Sequence, residues 1–187
     1  MSLRVVVGPM FAGKTSEIQS VVRRYGCLNK KVLVLTANID NRYQEEVAAI
    51  VNHDRSAIPA RAIGLHDLMD VLAWDDFTSA TAIVVDEAQF FVGCLIPFVR
   101  EAVDRHGKHV IVVGLDSDAE QRPFGDVLPL IAHADSVEKK TALCRRCGDG
   151  TPAIFTRRFG AAEGQVAVGG AEMYSPVCRK HYMQSDA

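Results

Sequence analysis

The residues with the clearest chemical potential form the stretch Gly8-Pro9-Met10-Phe11-Ala12-Gly13-Lys14-Thr15. Two glycines separated by four residues and followed by Lys-Thr fit the P-loop pattern. In that pattern, backbone N–H groups at the start of a helix surround a polyphosphate. We expect the Lys14 ammonium to reach the β- and γ-phosphates, and the Thr15 hydroxyl to ligate Mg²⁺. The stretch therefore predicts a nucleotide site.

A second candidate site lies at Asp86 and Glu87, directly after the apolar run 82–85. The carboxyl ends of parallel strands open onto the ligand crevice, so Asp86 is predicted to hold Mg²⁺ beside Thr15, directly or through water. Glu87 is a candidate base for an attacking hydroxyl or water. Two acids also suit an ordinary helix N-terminus, but the P-loop upstream favours the catalytic interpretation.

Four candidate metal ligands stand in two pairs, each with two intervening residues: Cys144 and Cys147, then Cys178 and His181. Three thiolates and an imidazole suit a tetrahedral Zn²⁺ site, and four protein ligands leave no open position. The pattern therefore predicts a structural zinc ion that ties the base of the loop between the pairs. Cys27 and Cys94 are isolated and are predicted to pack in the core.

The elements that must position these sites alternate between strand-like and helix-like segments up to about residue 135. Predicted strands cover 3–7, 32–35, 82–85 and 110–113, and a short hairpin is predicted at 47–51. Predicted helices cover 16–28, 65–74, 95–105 and 127–132. Short Val/Ile runs between helices indicate a mostly parallel sheet covered on both faces. The predicted class is α/β, with a P-loop (RecA-like) sheet flanked by helices.

The composition of the chain changes after Thr141, where paired cysteines and more glycine appear. This change predicts two units, a nucleotide-binding domain over 1–141 and a small zinc-binding domain over 142–187. The 187 residues carry a net charge of −2, which predicts no general attraction to nucleic acid or to anionic membranes. We expect no membrane span, no signal peptide and a cytoplasmic location.

Four motifs, in order and nearly end to end, resemble the type II (cellular-type) thymidine kinases. They are the P-loop at 8–15, Asp86-Glu87-Ala88-Gln89-Phe90-Phe91, the loop Gly114-Leu115-Asp116 with Arg122-Pro123-Phe124-Gly125, and Gly169-Gly170-Ala171-Glu172-Met173-Tyr174 leading into Cys178 and His181. The resemblance implies ATP-dependent phosphorylation of the thymidine 5′-hydroxyl, with Glu87 as general base. It also implies a zinc-anchored lasso that closes over the thymine.

The resemblance assigns further site residues. Nucleotide contacts are implied for the P-loop residues Gly8, Pro9, Met10, Phe11, Ala12, Gly13, Lys14 and Thr15, and for Asp86 and Gln89. Substrate contacts are implied for Met10, Asp40, Arg42, Phe90, Leu115, Gly169 and Tyr174. The family is usually a tetramer and is often inhibited by thymidine triphosphate, so a homotetramer and this feedback inhibitor are implied here.

One position departs from the family pattern. Ala119 stands where the family commonly has an aromatic residue after the Gly-Leu-Asp motif. Either Phe124, Phe91 or another side chain fills the gap, or the pocket is wider. Deoxyuridine or a bulkier pyrimidine analogue is therefore an alternative substrate.

Two other functions fit the motifs. A nucleoside monophosphate kinase with a zinc-stabilised lid would need arginines for an anionic acceptor, and the candidates are Arg145, Arg146, Arg157 and Arg158. A P-loop ATPase or switch would need no small-molecule acceptor. Comparing thymidine with thymidine monophosphate as acceptor separates the two kinases.

Overall fold

The structure, a computed structural model, describes residues 1–39, 48–51, 57–159, 164–165 and 169–184. Two of the expected substrate contacts, Asp40 and Arg42, lie outside these residues. Within the described ranges, no helix has the length and apolar character needed to cross a bilayer.

A central sheet organises the described part of the chain. Its strands are β1 Ser2–Val7, β2 Val32–Ala37, β3 Ala48–Val51, β4 Ala57–Ile63, β5 Ala82–Asp86, β6 His109–Gly114 and β7 Ser136–Lys139. Across the sheet the order is β3-β4-β2-β5-β6-β1-β7. Every pairing is parallel except that of β3 with β4. The prediction of an α/β fold with a mostly parallel sheet is confirmed.

Alternate side chains of each strand enter two separate apolar layers. Val5 and Val7 pack in one layer, while Val6 packs in the other. Helix α1, Lys14–Gly26, covers the layer of Val6. The other layer is covered by a 3₁₀ turn Leu68–Ala73, α2 Asp75–Ser79, α3 Leu95–Arg100 with a π-helical turn Glu101–Arg105, and α4 Val127–Leu130. Both faces are therefore covered, as continuous apolar strands require.

Several sequence predictions need correction. The predicted helix 65–74 is a 3₁₀ turn followed by a break, because Trp74 has extended backbone (ψ 142°) before α2 begins. The hairpin predicted at 47–51 is wrong in extent, since β3 pairs with β4 and places Ala48 opposite Ala60. Cys27, predicted to be in the core, is exposed just beyond α1, whereas Cys94 is half-buried against the core.

The C-terminal elements have a small core of their own. They are β8 Ala142–Leu143 paired with β9 Pro152–Ala153, β10 Phe155–Arg158 paired with β11 Tyr174–Val177, and α5 Arg179–Met183. Cys144 and Cys178 belong to this core, and Phe11 and Ala12 of the P-loop pack against it. The C-terminal elements therefore contact the nucleotide-site segment directly.

Candidate active site

The P-loop begins where β1 meets the end of β7. A Cβ atom on Gly8 would lie 2.4 Å from the Lys140 carbonyl oxygen, so only glycine fits this backbone contact. The Lys140 N–H donates to the Val7 carbonyl at 2.8 Å, which fixes the two segments together. Gly13 has φ 75° and precedes α1, which starts at Lys14 rather than at the predicted Ser16. The loop thereby ends at a helix N-terminus, the geometry that favours phosphate.

The Lys14 ammonium lies over its own loop and near three acids. Nζ donates to the carbonyl oxygens of Gly8 at 3.1 Å and Pro9 at 2.7 Å. Burial lowers the pKa of Lys14, and that effect is partly opposed by the charges of Glu87, Asp86 and Asp116. The structure thus brings the P-loop lysine and the acidic motif into one electrostatic environment.

Asp86 and Glu87 stand at the carboxyl end of β5. Asp86 is buried, and this burial together with the Glu87 charge raises the pKa of Asp86 to about 7, against a backbone hydrogen bond and Lys14. Glu87 is half-buried and has φ 51°, so the chain changes direction directly after the strand and enters a 3₁₀ turn, Ala88–Phe90. Two adjacent carboxylates in a buried site favour a bound cation, because ionising Asp86 alone is costly.

Gln89 lies behind Glu87 and is fully buried. Its Nε2 donates to Glu87 Oε2 at 2.6 Å, and its Oε1 accepts from the Leu115 N–H at 3.0 Å. The family resemblance implies a nucleotide contact for this residue. Among the described residues, its side-chain hydrogen bonds are instead with the acidic motif and with the loop after β6.

Asp116 is a further buried acid in the same loop. Its Oδ2 forms an ion pair with Lys139 Nζ at 2.6 Å, and Oδ1 is buried without a hydrogen-bond partner among the described residues. Since Asp116 also acts on Lys14, its negative charge contributes to the field around the P-loop. The sequence motif marks this residue but does not indicate its pairing with Lys139.

Apolar side chains lie beside the acidic motif. Phe90 is half-buried and packs edge-to-face against the buried Phe124, with ring centroids 5.4 Å apart at 80°. Phe91 lies instead in the main core below the sheet. The ring that packs against Phe90 is therefore that of Phe124. Ala119 contributes its carbonyl oxygen, which accepts from the Tyr182 hydroxyl at 2.7 Å.

The described part of the predicted lasso is tightly turned. Both Met173 and Tyr174 donate backbone N–H groups to the Gly170 carbonyl, at 3.1 and 2.9 Å. A Cβ atom on Gly169 would lie 2.3 Å from Met173 Sδ, so the turn leaves little room there. Tyr174 is buried at the start of β11. Residues 160–163 and 166–168 lie outside the described part of the chain.

The four predicted metal ligands come together into one Cys₃His cluster. His181 Nδ1 lies 3.4, 3.3 and 3.5 Å from the sulfurs of Cys144, Cys147 and Cys178, and the last two sulfurs are 3.8 Å apart. A tetrahedral zinc ion would place sulfurs about 3.8 Å apart and sulfur and nitrogen about 3.6 Å apart. The donor set and its spacing fit zinc, so the cluster could hold this ion.

One contact between the C-terminal elements and the P-loop could not be predicted from the sequence. The Met10 N–H donates to Thr156 Oγ1 at 3.0 Å, and Thr156 is buried in β10. A P-loop amide is therefore held by a side chain 146 positions away.

We expect Thr156→Val to weaken ATP binding by about 5- to 50-fold, because it leaves the Met10 N–H without its acceptor and loosens the loop. Thr156→Ser keeps a hydroxyl and is expected to retain most of the affinity. Titration calorimetry with a non-hydrolysable ATP analogue measures both variants. Equal affinity for the valine and serine variants would show that this hydrogen bond does not support the loop.

A P-loop after β1 and acids at the end of β5, two places along the sheet from β1, define an α/β protein of the P-loop nucleotide-binding class. A family model described as thymidine kinase matches residues 1–182. A thymidine kinase of Oryza sativa subsp. japonica is 40% identical over 183 residues, which span 97% of this chain and 66% of the relative. The cytosolic thymidine kinase of Homo sapiens is 36% identical over 182 residues, spanning 97% of this chain and 73% of the relative. A solved DNA replication initiation factor gives a TM-score of 0.45 at 10% identity, covering 74% of this chain and 40% of that one. The chain belongs to the thymidine kinase family.

Proposed function

We propose that this protein transfers the γ-phosphoryl group of ATP to the 5′-hydroxyl of thymidine, giving thymidine monophosphate and ADP for nucleotide salvage. The observation that carries the proposal is the meeting of Lys14 and Glu87 at the carboxyl edge of the sheet, in a chain of the thymidine kinase family. A phosphate-binding cation and a candidate base at one site are what phosphoryl transfer to an alcohol needs.

Glu87 is the proposed general base. Among the described residues, its Oε2 accepts from Gln89, while no hydrogen bond engages Oε1. As the 5′-oxygen forms its bond to the γ-phosphorus and ADP leaves, the hydroxyl proton passes to Oε1. Lys14 stabilises the negative charge that develops on the transferred phosphoryl group and on ADP.

The residues proposed to hold Mg²⁺ are Thr15 and Asp86. The support is chemical, because a hydroxyl and a carboxylate are oxygen donors that suit Mg²⁺. Ionising the buried Asp86 beside Glu87 is unfavourable, and a divalent cation would offset that cost. When bound there, Mg²⁺ would neutralise negative charge on the ATP phosphates. The remaining P-loop residues are proposed to surround the phosphates.

The thymine is proposed to lie among Met10, Phe90, Leu115, Gly169 and Tyr174. Specificity for a small polar base needs matched hydrogen bonds in a dry site, since a mismatched base leaves polar groups unpaired. Asp40 is proposed for the sugar and Arg42 for the phosphates. Deoxyuridine is proposed as a second acceptor, because one missing methyl group changes binding by roughly 1–3 kcal/mol.

The monophosphate kinase alternative is disfavoured by the engagement of two candidate arginines. Arg157 donates to the carbonyl oxygens of His181 and Gln184, at 2.9 and 2.6 Å. Arg158 donates to the Gly164 carbonyl and to Glu120, both at 2.8 Å. These guanidinium groups hold the C-terminal segment in place, and an acceptor phosphate would have to compete for them.

The family resemblance also supports three wider proposals. We propose a homotetramer, feedback inhibition by thymidine triphosphate, and a cytoplasmic location. The human relative is named cytosolic, and the cysteines among the described residues form no disulfide.

A panel of acceptors tests the function. The protein is incubated with ATP, Mg²⁺ and either thymidine, deoxyuridine, thymidine monophosphate or no acceptor, and the products are separated by chromatography. We expect thymidine monophosphate from thymidine, a slower reaction with deoxyuridine and no thymidine diphosphate. Rapid conversion of thymidine monophosphate, or ATP hydrolysis that no nucleoside changes, would contradict the proposal.

The Cys₃His cluster gives a prediction of its own. We expect about one zinc ion per chain by elemental analysis, and Cys144→Ser should lower that content. The substitution should raise the KM for thymidine by loosening the lasso. Because Phe11 and Ala12 pack against the core that contains Cys144, we expect ATP affinity to fall as well. Arg146→Ser, an exposed substitution between two of the ligands, is the matched control and should keep the zinc. Unchanged KM and ATP affinity in Cys144→Ser would contradict the anchoring role.

A further inference from the structure

We propose that Gln89 is a positioning residue that holds the Glu87 carboxylate in the orientation needed to take the proton of the nucleoside hydroxyl. This inference rests on the proposed function, in which Glu87 is the base. It assigns Gln89 to the acceptor side of the reaction rather than to the nucleotide.

The direction of the Gln89 side-chain amide is fixed by its two partners. The Leu115 backbone N–H can only donate, so the atom that faces it at 3.0 Å must be the amide oxygen, Oε1. The amide nitrogen then faces Glu87 Oε2 at 2.6 Å and must donate to it. One carboxylate oxygen is thereby held, and the other, Oε1 of Glu87, is the oxygen oriented for proton transfer.

Two glycines, Gly114 and Gly125, lie close against Gln89. A Cβ atom on Gly114 would lie 2.9 Å from Gln89 Oε1. At Gly125, where φ is +58°, a Cβ atom would lie 2.2 Å from the Gln89 carbonyl oxygen. Backbone therefore approaches the glutamine from two sides, and a side chain at either glycine would displace it. A rigid support of this kind is what an oriented catalytic group requires.

Gln89 is fully buried, and a buried amide is unfavourable unless its polar atoms find partners. For packing alone, an apolar residue of the same size would serve as well. The amide is explained by its two partners, one on the acidic motif and one on the loop that carries Leu115 and Asp116.

The Gln89 amide joins the segments that follow two adjacent strands. Leu115 follows β6, and Glu87 follows the adjacent parallel strand β5. Leu115 is proposed to line the thymine pocket. The Gln89 side chain therefore connects this part of the pocket to Glu87, the proposed general base. The distance between the nucleoside and Glu87 is thereby fixed by a hydrogen-bonded bridge.

A double-mutant cycle tests the inference. The four proteins are the wild type, Gln89→Met, Glu87→Gln and the double variant, and each is measured for kcat, for the KM of thymidine and for the Kd of an ATP analogue. Methionine has nearly the length of glutamine and no amide. We expect Gln89→Met to lower kcat by about 10- to 100-fold, with KM and Kd changed less than about threefold. In the Glu87→Gln background, Gln89→Met should produce no further loss, because both residues act on one step.

A second variant guards against a folding defect. Gln89→Asn keeps the amide but is one methylene too short to reach both partners, so it should lose kcat similarly, and the melting temperatures of both variants are measured to confirm that each is folded at the assay temperature. If either soluble variant retains wild-type kcat, the inference is overturned. It is also overturned if ATP affinity falls in parallel with kcat, or if the two losses multiply in the double variant. Wild-type kcat in Glu87→Gln alone would instead remove the base assignment of the proposed function, which separates the two failures.

Discussion

Glu87→Gln is expected to bind ATP normally and to lose most of its turnover. A positioned general base contributes about 10²- to 10⁴-fold to rate, and the substitution removes the proton acceptor while preserving shape. Since Lys14 and the P-loop amides are the groups proposed to bind the phosphates, the Kd of ATP should change less than about threefold. Steady-state kinetics with thymidine and calorimetry with an ATP analogue give the two quantities.

The matched control is Glu87→Asp, which keeps a carboxylate but draws it back by one methylene. We expect its kcat to lie between those of the wild type and the glutamine variant, because the base is retained and misplaced. Near-normal kcat in Glu87→Gln would assign the base role to another group. A large loss of ATP affinity would mean that Glu87 serves the nucleotide site.

Gly8→Ala is expected to abolish measurable ATP binding, a loss of about 100-fold or more. The new Cβ atom would lie 2.4 Å from the Lys140 carbonyl oxygen, a backbone atom in a segment that β7 and the Val7 hydrogen bond fix. The P-loop must therefore shift, which misdirects the amides proposed to bind phosphate. Calorimetry with an ATP analogue measures the loss.

Gly26→Ala provides the control for this change. Gly26 is the last residue of α1, and a Cβ atom there would meet no atom within 4 Å. This variant should bind ATP as the wild type does and should unfold at the same temperature or slightly higher. If Gly8→Ala also bound ATP normally, the close contact with Lys140 would have no role in shaping the site.

Buried strands could be predicted from the sequence, while strands near the edges of the sheet could not. The run 82–85 is continuous and apolar, and it forms the fully buried β5. In β7 the apolar residue is Val137, which is 46% exposed, so no hydrophobic run marks that edge strand. In β4 the apolar pattern is interrupted by Pro59 and Arg61, so the sequence does not mark it as a strand. The strand pairs antiparallel with β3.

The candidate site shows the same division between local and tertiary signals. The P-loop, the acids after β5 and the two ligand pairs are local patterns whose chemistry depends on spacing, and the structure brings the four metal ligands together as expected. The bond from Met10 to Thr156 and the bond from the Leu115 N–H to Gln89 join segments that are distant in sequence. Such contacts depend on how the elements pack, so the sequence could not show that Thr156 pairs with Met10 or that Gln89 pairs with Leu115.

The most direct test of the account is a single-turnover experiment with γ-labelled ATP, Mg²⁺ and thymidine, quenched at successive times. We predict that the label leaves ATP and appears in thymidine 5′-monophosphate in about one-to-one proportion with ADP, and that omitting thymidine nearly stops ADP formation. Label released as inorganic phosphate, at a rate that thymidine does not change, would contradict the proposal that Glu87 and Lys14 direct phosphoryl transfer to a nucleoside.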